Sequence, residues 1–276
     1  MKQQAKGISG FGLKYIAMAL MIFDHIHYFF EFTGVIPVWF SMLGRISAPL
    51  FLFCLIEGFT HTHDRKRYFC GIYAIAIGMG LFQFVCTYFG FARPDGFYPR
   101  NQMLATFVIL LVILQGIDWC AQKQWIRGIA AIVLPLALPY LAFALLSAVP
   151  AAGFLVAVLQ FSVLPLHTSI IDGGTIVILQ GILLYLLRNH RKAQAIGYVL
   201  SSLLVNAVLP LVLMPELTFP MLFTEVYEWM NIFAVPLMLC YNGTRGNGSK
   251  RLFYWFYPVH IYILFALSWG TYLLLH

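Results

Sequence analysis

The sequence predicts an all-α protein, a polytopic bundle of transmembrane helices, from its composition and from the spacing of its apolar runs. Hydrophobic residues make up 61% of the 276 residues and charged residues 10%, against about 45–50% and about 25% in soluble domains. Too few polar side chains remain to cover a surface facing water, so lipid must surround most of the chain. The apolar runs recur along the whole sequence, which predicts a single integral-membrane domain over residues 1–276.

We expect about nine helices to cross the membrane, each close to the ~20 residues that a bilayer requires. In chain order the predicted crossings are residues 13–33, 46–61, 68–90, 101–118, 128–147, 173–188, 194–214, 219–240 and 253–274. A further apolar stretch at 150–165 contains Pro150, Gly153 and Pro165. We expect it to be re-entrant or to lie at the outer surface, and ten crossings is the alternative.

The positions of lysine and arginine predict the orientation, because cytoplasmic loops hold most of these residues. With nine crossings and a cytoplasmic N-terminus, fourteen of the 17 lie inside, and only Arg45, Arg93 and Arg100 lie outside. A tenth crossing would move the basic cluster at 188–192 outside. We therefore expect a multi-pass protein of a bacterial-type cytoplasmic (inner) membrane. Its net charge of +7 then reflects topology, and no nucleic-acid partner is expected.

The first predicted helix carries the densest set of polar residues. Ionisable groups inside a membrane are costly, so each is a candidate site residue. Lys14 and His25 are eleven residues apart, which places them on one helix face about 16 Å apart along the axis. Met18 and Met21 lie between them on that face. Asp24 precedes His25, and the alternative interpretation is that this polar pair only locks the helix to a neighbour.

The sequence does not favour a metal site. Two histidine ligands on one helix converge at a spacing of three or four residues, whereas His25 and His27 point to nearly opposite sides. The five cysteines show no C-x-x-C spacing. We therefore expect neither a bound metal nor a disulfide framework.

A basic turn follows the second predicted helix, which itself contains Arg45 and Glu57. Lysine and arginine in this turn are either a topology signal or a clamp for phosphate groups, and their charge alone leaves both interpretations open. The turn consists of Arg65, Lys66 and Arg67, followed by Tyr68.

Two further helices begin with polar residues. Arg100 and Asn101 open the fourth helix on the outer side. Arg251 opens the last helix, where Tyr257 and His260 lie on a common edge, with His260 about 10 Å beyond the basic first turn of this same helix. The aromatic residues are typical of an interfacial belt, whereas a histidine beyond that belt is not.

Six sequence blocks occur in order between residues 13 and 260 and together are more specific than any single motif. They are Leu13-Lys14-x-Ile16-Ala17, Met21-x-x-Asp24-His25, Gly44-Arg45-x-x-x-Pro49-x-Phe51-x-Phe53, Glu57-Gly58-Phe59-x-x-Thr62, Tyr241-Asn242-Gly243-x-Arg245-Gly246 and Phe253-Tyr254-x-Phe256-Tyr257-Pro258-x-His260. The set resembles the TraX family, which is named for a protein needed for N-terminal acetylation of conjugative pilin.

The TraX fold is similar to that of the wider group of transmembrane acyltransferases, which includes the acyltransferase-3 enzymes and heparan-α-glucosaminide N-acetyltransferase. In acyltransferase-3 proteins a basic residue and a histidine recur on the first helix at the same spacing as Lys14 and His25, and the histidine is taken as catalytic. The resemblance therefore implies an acyltransferase that uses acyl-CoA, with acetyl-CoA as the expected donor.

The resemblance implies that the donor's phosphates rest on the basic turn. That set is Arg65, Lys66, Arg67 and Tyr68, with help from Lys14, Arg251 and Tyr257. The pantetheine arm would follow the Lys14 face of the first helix. Relatives often carry another basic residue shortly after Tyr68, where this chain has Cys70-Gly71, so the clamp would be less complete or built from other loops.

The resemblance assigns the chemistry to His25 as general base, with Asp24 or a neighbour fixing its tautomer and His260 as the second candidate base. Candidates for contacts with the substrate or the oxyanion are Arg45, Glu57, Arg100, Asn101 and Tyr257. The acceptor would be an amine or hydroxyl on a protein N-terminus, a sugar, a lipid or a small molecule. A homodimer is one assembly that the sequence allows.

Two other classes of protein remain open from the sequence. A proton-coupled small-molecule transporter would also place Asp, His, Arg and Glu at mid-membrane, together with an internal repeat and broken helices. A structural membrane subunit of an envelope machine would need none of these polar groups.

Overall fold

The computed structural model describes residues 7–276, apart from the side chain of Lys250. Lys2 and Lys6, which the charge argument counts as cytoplasmic, lie outside the described residues. Within the described part, the chain forms α-helices and shorter helical turns and no β-strand. The α-helices are α1 (Gly10–Phe30), α2 (Trp39–Gly44), α3 (Ser47–His61), α4 (Arg65–Phe89), α5 (Met103–Ala121), α6 (Trp125–Ala148), α7 (Gly153–Ser162), α8 (Gly174–Leu186), α9 (Arg191–Leu203), α10 (Leu209–Leu213), α11 (Ala234–Leu239) and α12 (Lys250–Leu275).

The helices establish a multi-pass membrane architecture, although the predicted number of about nine crossings is not confirmed. Over residues 7–276, six helical segments are long and apolar enough to cross a bilayer: Trp39–His61, Arg65–Phe89, Met103–Ala121, Trp125–Ala148, Arg191–Leu213 and Arg251–Leu275. Helix α1 is not one of the six, although it has 21 residues. Its Lys14, Asp24, His25 and His27 lower its mean hydropathy.

Two apolar segments form helices that are shorter than a bilayer requires, and one of them, 173–188, was a predicted crossing. The 150–165 stretch forms α7, whose ten residues fall short of the ~20 needed to cross. Helix α8 has 13 residues, fewer than the predicted range of 173–188. A short α7 agrees with the expectation that this stretch does not cross by itself, and its placement as re-entrant or outer stays a prediction.

The predicted single helix at 219–240 is wrong. Its backbone is broken into the 3₁₀ turns Phe219–Phe223 and Tyr227–Phe233 and the short helix α11. Pro236 lacks the N–H that a continuous helix would donate to the carbonyl of Ile232. Before it, the indole N–H of Trp229 donates to the carbonyl of Leu222 at 2.8 Å, which holds the chain in a turn. Hydropathy recognised the apolar composition of this segment but not its broken backbone.

The chain divides into two compact units, Met1–Thr60 with Leu183–His276, and His61–Ile182. Each is described by itself, and the prediction of a single domain over 1–276 stays a prediction. In the first unit, α1 lies in the core. Its residues Leu13 and Ala17 pack with Leu50, Phe53 and Cys54 of α3 and with Ala234 and Met238 of α11.

Helices α1 and α12 pack in parallel. Ring pairs occur in the same order along both helices: Phe11 with Phe253, Phe29 with Phe265, and, just beyond α1, Phe32 with Tyr272, at centroid distances of 5.4, 6.4 and 5.4 Å. The N-termini of both helices therefore lie at the same end of the unit.

The second unit is built on close helix contacts that depend on small residues. Gly116 of α5 faces Gly128 of α6, where a Cβ at Gly116 would come within 2.8 Å of the Gly128 carbonyl oxygen. Asp172 accepts hydrogen bonds from the backbone N–H groups of Gln102 and Met103, at 2.8 Å and 3.2 Å for the shortest contact of each. These bonds satisfy donors at the start of α5 that the helix itself leaves open.

Candidate active site

A pair of histidines lies in the interior of the first unit, one from α1 and one from α12. Nδ1 of His25 is 2.6 Å from Nε2 of His260, and the exposed fraction of His25 is only 5%. The ring planes differ by 8° and the centroids are 4.8 Å apart. The two facing nitrogens therefore lie close to the line between the ring centres, which suits an in-plane N–H···N hydrogen bond.

The backbone of α12 determines which nitrogen of each ring carries a proton. Nδ1 of His260 lies 2.6 Å from the carbonyl oxygen of Phe256, and a carbonyl only accepts hydrogen bonds, so this nitrogen is the donor. In neutral His260 the lone pair is then on Nε2, which accepts from Nδ1–H of His25. We therefore assign to His25 the tautomer whose lone pair is on Nε2.

Aromatic rings enclose the histidine pair. The ring of Phe256 stacks on His260 at a centroid distance of 4.5 Å, and Tyr257 approaches His260 edge-on at 5.9 Å. Phe29 meets His25 edge-on at 6.3 Å. Packing on these sides limits rotation of both imidazoles, so the hydrogen-bonded chain is held in one orientation.

Asp24 is hydrogen-bonded to Arg45 and to Ser41 of α2. Its carboxylate accepts from Arg45 at 2.5 Å and from the hydroxyl of Ser41 at 2.9 Å. Arg45 also donates to Glu228 at 2.7 Å. Since Asp24 and His25 are neighbours on a helix, their side chains point about 100° apart. In the structure His260 contacts Nδ1 of His25, and the role that the sequence interpretation gave to Asp24 or a neighbour stays a prediction.

Gly44 allows α2 to approach α1 beside this ion-pair cluster. A Cβ at Gly44 would overlap the side chain of Asp24. The guanidinium of Arg45, one residue later, is shared between Asp24 and Glu228. Two carboxylates already accept hydrogen bonds from the guanidinium of Arg45. Arg45 therefore links α1 and α2 to residues 219–240, which we call the broken segment.

Lys14 shares the face of His25, as the helical spacing predicted. Its ammonium lies 5.4 Å from the ring centroid of Phe253 in α12, and α12 also supplies His260. Met18 and Met21, between Lys14 and His25, are both buried. The α12-facing side of α1 therefore runs from Lys14 to His25, with apolar side chains between them.

Glu57 forms an ion pair with Arg191, at 2.9 Å, rather than being an isolated acid on α3. The guanidinium of Arg191 also lies over the rings of Phe53 and Tyr241, at 4.8 and 5.2 Å. Burial, with a smaller contribution from Glu57, raises the pKa of Tyr241 to about 12. Tyr241 is therefore a neutral phenol at physiological pH, and this cluster ties α3 and α9 to the chain after α11.

The basic turn belongs to the second unit, and one of its arginines is already paired. Arg65 binds Asp118 at 2.6 Å and Gln115 at 3.1 Å. Lys66 and Arg67 are exposed, and Tyr68 is half-buried. Arg65 is therefore engaged within its own unit, and the phosphate clamp stays a prediction.

Arg100 and Asn101 also lie in the second unit. Arg100 is exposed and stands over the ring of Tyr98 at 5.0 Å, whereas Asn101 is buried. In the same loop, hydrogen bonds from Arg93 hold the pKa of the Asp95 carboxyl below its usual range. Of the predicted site residues, the first unit thus brings together Lys14, His25, Tyr257 and His260, and it also carries Asp24, Arg45, Glu57 and the exposed Arg251.

A comparison with known protein families identifies the family of this chain, because the match covers nearly the whole sequence. Residues 9–268 match the family model described as "TraX protein". The chain belongs to the TraX family. It is also similar to a protein of Dichelobacter nodosus described as "Probable fimbrial assembly protein FimC, serogroup H1", with 28% identity over 269 residues that cover 93% of this chain and 94% of the relative. No solved structure matches the chain.

Several residues that form polar contacts or lie in the family blocks of the first unit were not assigned a role from the sequence. Ser41 and Arg191 gave no signal, since a serine and a loop arginine are common in membrane proteins. Glu228 was visible only as an acid in the broken segment. Arg245 lay inside one of the family blocks, Tyr241-Asn242-Gly243-x-Arg245-Gly246, but nothing in the block pointed to a role.

A second polar cluster lies within the apolar part of the first unit. Asn231 and Ser202 are hydrogen-bonded to each other, and Asn206 donates to Ser202 at 3.1 Å. Asn206 lies in a π-helical turn, Leu204–Val208, where Pro210 cannot donate to the Asn206 carbonyl. This cluster joins α9 to the broken segment.

Proposed function

We propose that this TraX-family protein is a membrane-embedded acyltransferase that moves an acyl group, with acetyl as the expected one, from cytoplasmic acyl-CoA to an amine or hydroxyl. The observation that carries the proposal is the hydrogen-bonded chain from the Phe256 carbonyl through His260 to His25. A buried imidazole whose tautomer is fixed by a second group is the arrangement that a general base requires.

The chemical step uses Nε2 of His25 as the base. The acceptor's N–H or O–H gives its proton to this nitrogen while the acceptor atom attacks the thioester carbonyl carbon. The tetrahedral intermediate then loses the C–S bond, and the acyl group remains on the acceptor. The His25 imidazolium returns the proton to the departing thiolate, so the products are the acylated acceptor and CoA with a free thiol.

His260 is a positioning residue in this proposal, because it acts through His25. Its Nε2 keeps accepting from Nδ1–H of His25 when His25 becomes an imidazolium. For the developing oxyanion we favour the phenol of Tyr257, whose ring lies beside His260. The N–H groups of Arg45 are used by Asp24, Ser41 and Glu228.

Family membership and the named relative support an acceptor in the cell envelope. The family resemblance concerns a protein needed for pilin acetylation, and the relative is described as a probable fimbrial assembly protein. A protein N-terminus is therefore the first acceptor to test, followed by sugars, lipids and small amines. An inner-membrane location with a cytoplasmic N-terminus would give the donor access from the cytoplasm.

The parallel packing of α1 and α12 supports nine crossings over ten. If both helices cross the membrane, an even number of crossings precedes α12, so the total is odd. The basic residues at the shared N-terminal end of α1 and α12 favour placing that end in the cytoplasm.

The experiment is transfer of radiolabelled acetyl from acetyl-CoA by the purified full-length protein, across acceptors that represent protein N-termini, sugars, lipids and amines. We expect label on at least one acceptor class with stoichiometric release of CoA thiol, and loss of both with His25→Ala. His27→Ala is the matched control on the same helix and should retain activity. No label on any class, in protein that is folded, would contradict acyl transfer.

The broken segment favours a second candidate, a proton-coupled transporter. Irregular backbone at membrane depth occurs where it lines a cavity, and discontinuous helices mark transporter sites. Residues 219–239 have this character, and Asn231 and Ser202 supply polar groups there. Proton-driven accumulation of a small amine in proteoliposomes, without release of CoA thiol, would favour transport.

A further inference from the structure

The loop between α11 and α12 is attached to the start of α1 through backbone hydrogen bonds. We call residues 240–249 the arginine loop. Its carbonyl oxygens accept from the N–H groups of α1 and the preceding turn: Ile8 to Cys240 at 2.8 Å, Gly10 to Thr244 at 2.8 Å, and Phe11 to Arg245 at 3.0 Å. The arginine loop therefore covers the N-terminus of α1 and has a defined position on it.

Two glycines allow the arginine loop to lie flat on α1. Gly246 has φ +73°, and a Cβ there would overlap the side chain of Ser9. A Cβ at Gly248 would come within 2.6 Å of the ring of Phe11. Asn242 adds an Asx turn by accepting from the N–H and the hydroxyl of Thr244, at 3.0 and 2.7 Å. The loop is thus shaped by contact with α1 rather than extended into solvent.

The arginine loop places a second cation on the phenyl ring that Lys14 also approaches. The guanidinium of Arg245 lies 5.2 Å from the ring centroid of Phe11, and the ammonium of Lys14 lies 5.6 Å from the same centroid. Both distances are within the ~6 Å range of cation–π contacts. Phe11 is buried and stacks on Phe253, so the two cations are positioned around one fixed ring.

All charged residues of the arginine loop and of the first two residues of α12 are basic. Residues 240–251 include Arg245, Lys250 and Arg251 and no carboxylate. Arg245 and Arg251 are exposed, while the basic turn of the second unit has Arg65 in an ion pair with Asp118. Within the first unit, the arginine loop lies beside the face of α1 that leads to His25.

We propose that the arginine loop, with Lys14, binds the phosphate groups of the acyl-CoA donor, and that Arg245 is the main phosphate contact. The proposal rests on the function proposed above and replaces the basic turn as the clamp. A guanidinium matches phosphate oxygens in a bidentate geometry. From Lys14, the pantetheine arm would follow the Met18 and Met21 side of α1 over about 16 Å to His25.

The test is equilibrium binding of labelled acetyl-CoA to the full-length protein in nanodiscs of zwitterionic lipid. We expect Arg245→Gln to weaken binding by at least about tenfold, as expected for loss of a charge-assisted hydrogen bond, with Arg245→Lys intermediate. Lys192→Gln removes one exposed charge from the same unit and should bind as the wild type does. Arg67→Gln, in the basic turn, should also leave binding unchanged.

The outcomes separate the binding site from the function. If Arg67→Gln binds acetyl-CoA more weakly and Arg245→Gln binds it normally, the arginine loop does not bind the phosphates. The proposal of acyl transfer would be unaffected. Absence of acetyl-CoA binding by the wild type would overturn both. If Arg245→Gln binds acetyl-CoA normally but loses thermal stabilisation by phosphatidylglycerol or cardiolipin, the loop binds lipid headgroups and the proposal is wrong. Thermal unfolding of every variant excludes misfolding as the cause.

Discussion

At the scale of residues, His260 faces a carbonyl of its own helix on one side and His25 on the other. That carbonyl fixes the proton on Nδ1 of His260, and His260 in turn fixes the tautomer of His25. The sequence identified both histidines as candidates but not their contact. Residues 235 positions apart in the chain meet only because α1 and α12 pack in parallel, and no local pattern encodes that packing.

Replacing His260 separates positioning from proton transfer. We expect His260→Gln, whose amide oxygen can accept from Nδ1–H of His25, to retain a substantial part of the acetyl-transfer rate. His260→Leu offers no acceptor and should lower kcat by at least about tenfold with little change in the KM for acetyl-CoA. The measurement is steady-state kinetics of both variants, with thermal unfolding to confirm folding. Equal loss in Gln and Leu variants would argue against a positioning role.

At the scale of elements, hydropathy predicted the long apolar helices well because their length and composition are sufficient for a bilayer. The ranges predicted for α4, α5 and α6 lie close to Arg65–Phe89, Met103–Ala121 and Trp125–Ala148. The prediction of one helix at 219–240 failed because Pro236 and the hydrogen bond from Trp229 to the Leu222 carbonyl interrupt the helical backbone. An average over an apolar window does not register either feature.

Close approach of α2 to α1 gives a prediction for Gly44→Ala. The added Cβ would overlap Asp24 and displace the carboxylate that binds Arg45 and Ser41. Overpacking of this kind costs about 1–3 kcal/mol, so we expect a lower thermal unfolding temperature and reduced activity. The matched control is Gly270→Ala on α12, where a Cβ would meet no atom within 4 Å.

Thermal unfolding in one detergent, with activity before heating, measures both Gly44→Ala and Gly270→Ala. A Gly44→Ala protein as stable and active as Gly270→Ala would show that α2 can move away without cost.

At the scale of the whole molecule, the distribution of lysine and arginine predicts which ends of the helices face the cytoplasm. The structure adds that α1 and α12 begin at the same end of the first unit, which agrees with the expected placement of Lys14 and Arg251 on one side of the membrane. The residues of the candidate site divide between two compact units, a feature that hydropathy and motif spacing do not encode.

Labelling of introduced cysteines tests the proposed topology. With nine crossings and a cytoplasmic N-terminus, His276→Cys should react with a membrane-impermeant maleimide in intact cells, and Asn189→Cys should react only after permeabilisation. Both positions are exposed. The unmodified protein measures the background of its native cysteines. Protection of His276→Cys together with Asn189→Cys would favour an even number of crossings.

The most direct measurement is the initial rate of CoA-thiol release from acetyl-CoA in the presence of an acceptor, compared between wild type, His25→Asn and His27→Asn. General-base catalysis contributes about 10²–10⁴-fold to a rate. We therefore predict a loss of at least about 10²-fold in folded His25→Asn that still binds acetyl-CoA, and nearly unchanged release in His27→Asn. Release by His25→Asn at the wild-type rate would contradict a catalytic role for His25.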